Sequence, residues 1–159
     1  MHKTIENINI IKNSIKSKLL DLNQQNKSPK IIAVSKTFKM DHIMPLIEYG
    51  HEDFGENKVQ EAVEKWKEVK IKKNQIKLHM VGKLQTNKVK LAVELFDYIH
   101  SVDNLKLAEK ISLEQKKINK LIKIFIQINI GNESKKSGIN INDVQEFSLS
   151  CSKLGLDVI

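Results

Sequence analysis

Ile31-Ile32-Ala33-Val34-Ser35-Lys36-Thr37, followed about twenty residues later by Phe54-Gly55-Glu56-Asn57, is the stretch on which the fold turns. A short apolar run closes on a lysine, and the next short strand closes on an asparagine. Short apolar runs bounded by polar residues read as buried strands. An ammonium at the C-terminal lip of such a strand is costly. Desolvation disfavours the charged form of an amine and frees its nitrogen to attack a carbonyl. Lys36 is therefore the candidate Schiff-base residue, and pyridoxal phosphate is the usual aldehyde. The alternative is a strand-end lysine that turns to solvent.

Outward from this stretch, strand and helix periods alternate with no long linker. Thr4 to about Asn23 places Ile5, Ile8, Ile11, Ile15, Leu19 and Leu22 on one helical stripe. After a first strand expected at Ile31 to Ser35, Asp41 is a plausible N-cap and Gly50 a stop for a second helix. A short strand lies within His51 to Gly55, and a helix runs from Asn57 to about Lys70 with Val59, Val63 and Trp66 on one face. Strands are expected at 77–82, 97–102 and, strongly β-branched, 121–130. Helices are expected near 87–95, 105–115 and 142–154, and 156–159 reads as the start of a sixth strand. Alternation of this kind argues for a parallel α/β fold, and the leading helix with regular βα units favours a (β/α)8 barrel. No Gly-x-Gly-x-x-Gly turn follows the first strand, which weakens a dinucleotide site. A full barrel needs roughly 250 residues and eight strands. The 159 residues form a single expected domain, an incomplete barrel of about five βα units plus the start of strand six.

Composition narrows the function classes. Hydrophobic residues make up 40% and charged residues 29%, as in ordinary soluble domains. No apolar stretch reaches the length of a membrane span, and the N-terminus lacks the apolar core of a signal peptide. One cysteine, Cys151, excludes an internal disulfide framework, fits a reducing cytoplasm and is best read as packing. The net charge of +8 comes from 27 basic residues, all lysines. They are spread along the chain among acids, as on solvated helix faces, and arginine, the residue of base readout and phosphate clamps, is absent. Nucleic acid is therefore not an expected partner.

The residues with chemistry fall at the C-terminal ends of successive expected strands, where barrel sites are assembled. Ala33-Val34-Ser35-Lys36-Thr37, Phe54-Gly55-Glu56-Asn57, the run from His79 to Lys88, Gln127-Ile128-Asn129-Ile130 and Lys136-Ser137-Gly138 occur in an order and spacing that closely resembles the pyridoxal phosphate homeostasis proteins. The resemblance covers essentially the whole chain. It implies a barrel of the alanine racemase N-terminal domain type. It also implies pyridoxal phosphate held as an imine on Lys36, and a role in storing, buffering or delivering the cofactor, with no catalytic residue, no metal and no established turnover. Implied partners are the cofactor and pyridoxal-phosphate-dependent apoenzymes, and the complete protein is expected to be a monomer. An amino-acid racemase or decarboxylase using the same lysine is the alternative.

Carried over residue by residue, Lys36 takes the attachment position. Asn57 is implied beside the cofactor ring, with a helix N-cap as its plain alternative. His79 either lines the ring pocket or is a satisfied core histidine, and His100 reads as structural. Lys136 either attracts the phosphate or a second cofactor molecule, or is a solvated loop lysine. Two features depart from the family pattern. Thr37-Phe38-Lys39-Met40 stands where a lysine and then a proline are common, which leaves the role of Lys39 open. The sequence also stops before the later segments that are implied to supply most of the phosphate cradle.

Overall fold

In the computed structural model, which describes residues 2–131, 133 and 137–159, six parallel strands pair in chain order into one sheet. They are β1 (Ala33–Val34), β2 (Asp53–Glu56), β3 (Lys77–Met80), β4 (Tyr98–Val102), β5 (Lys123–Ile126) and β6 (Asp157–Val158). The helices are α1 (Lys3–Asp21), α2 (Met40–Glu48), α3 (Val59–Lys72), α4 (Val89–Leu95), α5 (Leu105–Lys117) and α6 (Val144–Lys153). Each crossover from one strand to the next contains a helix, the arrangement that parallel pairing requires. The sheet is a partial barrel with β1 and β6 at its edges.

One face of the sheet is dry. Phe54, Leu78, Met80, Ile99 and Ile124 are each at most 1% exposed and meet Trp66, Ala92, Ala108, Ile111 and Cys151 of the helices, all fully buried. The Phe54 and Trp66 rings lie 4.9 Å apart. Each such large side chain contributes ~1.5–3 kcal/mol by leaving water. Lys120 holds the end of α4, donating to the carbonyls of Val93 at 2.9 Å and Phe96 at 2.8 Å, and burial pulls its amine down to about 8.

Several elements differ from their expected extents for physical reasons. The first strand is two residues long rather than five, because only Ala33 and Val34 find ladder partners, Phe54 and Gly55. The fifth stops at Ile126 instead of continuing to 130. Its partner β4 ends at Val102, and the pairing has a register shift between Ile99 and Val102. Among the described residues, the β-branched run beyond forms the isolated bridge Ile128 to Ile139 in place of a continued strand. Asp41 is not the cap of α2. Lys39 occupies that position without a side-chain cap, and Asp41 sits in the first turn, where a negative charge favours the helix dipole. Gly50 does end this region, at φ +91°, a value that costs other residues strain. The stripe on α1 is only partly used: Ile8 is buried, whereas Ile11 and Leu22 are 47% and 63% exposed.

Candidate cofactor site

The opposite face of the sheet carries polar and aromatic side chains in rows. In β2 and β3, Asp53, Gly55 and His79 alternate with the core residues Phe54, Leu78 and Met80, and Gly55 stands beside His79 in register. The His79 ring stacks on Tyr98 at 4.2 Å, and the His100 ring stacks on Phe125 at 4.4 Å. A hydrogen-bond chain crosses three strands. His79 Nε2 lies 3.0 Å from Asp53 Oδ1, and His79 Nδ1 lies 2.9 Å from His100 Nε2. Burial lowers the pKa of His79 against the pull of Asp53, and burial with repulsion from His79 brings His100 to about 4. Both rings are then neutral at pH 7, and one proton arrangement satisfies the chain. His100 donates from Nε2 to His79 Nδ1, and His79 donates from Nε2 to the Asp53 carboxylate. His79 thus spends both ring nitrogens inside the protein, and His100 is structural, as expected.

Toward the C-terminal ends of the strands Gly55 is buried among apolar side chains: a Cβ on it would come 3.2 Å from Ile32, 3.3 Å from Val34 and 3.4 Å from Val81, closer than a larger residue could sit without displacing them. Lys36 and Asn57 stand beyond the ends of β1 and β2, two residues past the paired Val34 and Gly55. Lys36 is exposed, not desolvated as its place in the sequence suggested. Its strand is an edge strand, and Val34, two residues before it, is 48% exposed for the same reason. Asn57 is half-buried and is not a helix cap: Lys58 holds that position in α3, without a side-chain cap. Asn57 is framed instead by Gly82, where a Cβ would fall 2.4 Å from the Asn57 carbonyl oxygen. Ser101 fixes Gly82 by donating to its carbonyl at 2.7 Å.

On the dry side of the same strand ends is a group of residues that sequence reasoning missed. The Glu56 carboxylate, 1% exposed, accepts from Ser35 Oγ at 2.7 Å and Trp66 Nε1 at 2.9 Å, and pairs with Lys65 Nζ at 2.8 Å. Lys65 also donates to the carbonyls of Ser35 at 2.8 Å and Phe38 at 3.1 Å. Ser35 and Glu56 immediately precede Lys36 and Asn57. Anchoring the first pair to α3 fixes the backbone from which the second pair projects. Alternation along the two quoted motifs carried this signal, but Lys65, thirty residues from Ser35, has no local one.

Asn57 also borders a cavity of about 380 Å³ lined by Lys58, Met80, Lys83, Gln85 and Lys88 among others. Neither Lys36 nor His79 lines it. A larger cavity, about 520 Å³, lies at the other end of β2 beneath α1 and contains none of the expected site residues. Lys136 lies outside the described residues. Among the described residues no cluster of acids, histidines and cysteine could hold a metal ion, and no helix is long and apolar enough to cross a membrane.

The residues present fit pyridoxal phosphate at its aldehyde and its ring. They offer an exposed primary amine on Lys36 and a half-buried side-chain amide on Asn57, at the ends of adjacent strands.

Residues 10–159 match the family model described as alanine racemase, N-terminal domain. The chain is 37% identical to the pyridoxal phosphate homeostasis protein of Haemophilus influenzae, over 84% of this chain and 56% of that protein. With the protein of the same name from Buchnera aphidicola it shares 38% identity, over 92% of this chain and 63% of the relative. The chain thus spans less than two thirds of the length of these relatives. Among solved structures, PipY of Synechococcus elongatus with pyridoxal phosphate bound superposes with a TM-score of 0.71 at 34% identity, covering 91% of this chain and 70% of PipY.

Proposed function

We propose, from the premise that this chain belongs to the alanine racemase N-terminal domain family, that it binds pyridoxal phosphate at the C-terminal edge of its sheet and serves to store, buffer or deliver the cofactor. The observation that carries this reading is the placement of Lys36 and Asn57 at the ends of adjacent strands, each two residues past the paired Val34 and Gly55. The names of the relatives and the cofactor bound to PipY support it.

When bound, pyridoxal phosphate supplies an aldehyde that condenses reversibly with a primary amine, with loss of water. Lys36 Nζ is the amine that holds it. The Asn57 amide, on backbone that packs closely against Gly82, orients the ring through its hydroxyl. His79 supports the neighbouring strands, its ring locked by Asp53, His100 and Tyr98. Lys136 adds positive charge for the phosphate. The role is that of a carrier without turnover, with apoenzymes that need the cofactor as recipients. Residues 1–159 act in it as one cofactor-binding unit, within a cytoplasmic protein that is a monomer when complete.

Titration with pyridoxal phosphate, followed by visible absorbance, tests the proposal. The wild-type chain should give a saturable band that Lys36→Ala loses. A band of equal amplitude and affinity in Lys36→Ala would refute it.

A further inference from the structure

We propose that Lys65 is a positioning residue for Lys36, and that its pairing with buried Glu56 sets the place of the turn that carries the amine. The inference rests on Lys36 being the attachment residue. Residues 36–39 are all exposed, Phe38 at 53%, so little apolar burial orders the turn. What holds it is polar. The Phe38 N–H donates to the Ser35 carbonyl at 3.0 Å, closing the turn. Lys65 Nζ then donates to the carbonyls at both ends, Ser35 and Phe38.

An ammonium has three N–H donors, and these two carbonyls with Glu56 Oε1 account for all three. A helix-surface lysine ordinarily spends its donors on water. The Lys65 side chain is only 14% exposed and Glu56 1%, so the pair is a built contact and not a passing surface bridge. Glu56 is fixed in turn by Ser35 Oγ and by Trp66, which is fully buried. One ion pair therefore fixes the residue before Lys36 and the residue before Asn57 against the same helix, α3. For a site whose chemistry is one amine meeting one aldehyde, fixing the spacing of amine and amide is what separates Lys36 from the other lysines.

The experiment is limited labelling with pyridoxal phosphate and borohydride, followed by peptide mapping, with the other lysines as internal standards in the same sample. The variants are the double change Glu56→Gln with Lys65→Met, which removes both charges together, and Lys65→Arg, which keeps the charge and the donors. Urea denaturation of each variant runs alongside. The labelling preference for Lys36 should fall about tenfold or more in the folded double variant and largely return in Lys65→Arg. An undiminished preference in the folded double variant overturns the inference. An equal loss in Lys65→Arg assigns the effect to packing and overturns it too. If the wild-type chain shows no preference for Lys36, the reading of the site fails instead. If the double variant does not fold, amide exchange in the wild-type chain decides. Phe38 N–H should exchange at least about tenfold more slowly than an unstructured amide, and exchange at the unstructured rate overturns the proposal.

Discussion

The strand-end places of Lys36 and Asn57 were legible because each follows a short strand, and a strand end is a place that one sequence can mark. Their surroundings were less so. Lys36 proves exposed, and Asn57 lies against a glycine whose need is steric and visible only when β2 and β3 lie side by side. His79 had two readings, and its bonds to Asp53 and His100 favour the satisfied core residue. The pair makes a pH prediction. His100 ionises at about 4 in the folded chain against 6.5 when free, so below pH 6.5 the unfolded chain takes up the proton first. The stability held above pH 6.5 is therefore lost as pH falls toward 4. His79 and His51 shift in the same direction. Replacing His100 by Gln should make the fall in Tm between pH 7.5 and 4.5 shallower without abolishing it. An unchanged slope would show that His100 is not held neutral by the fold.

At the scale of elements, the alternation of strand and helix was readable throughout, since each period spans several residues. Lengths were not, because a strand ends where its neighbour's ladder ends. Ile31 and Ile32 have strand character but no ladder partner, and the run after Ile126 outlasts β4. The cap of α3 moved from Asn57 to Lys58 because Asn57 is packed against the end of β3. That contact is testable. In Gly82→Ala the new methyl would meet the Asn57 carbonyl at 2.4 Å, and backbone cannot swing away as a side chain does. The loss should be ~3 kcal/mol by urea denaturation, toward the upper end of overpacking costs, with weaker pyridoxal phosphate binding because Asn57 is displaced. A loss below ~0.5 kcal/mol would mean that the two strand ends are not in contact.

At the scale of the whole molecule, the order of the strands follows from βα units laid down one after another, each pairing with the last. The two-sided division of the sheet was only half visible. The core face shows as apolar periodicity, whereas the aromatic and histidine row emerges from register between distant strands. On the proposed function, the assembled sheet must single out one amine among 27 basic side chains, all of them lysines, most of which lie in water. Free lysines also form the linkage, so selectivity is the property of the fold that matters. Reduction with borohydride at a low ratio of pyridoxal phosphate to protein, followed by peptide mapping of the wild-type chain, measures it directly. The label should concentrate on the peptide containing Lys36. Label spread over the lysines in proportion to their exposure, or concentrated on another one, would contradict it.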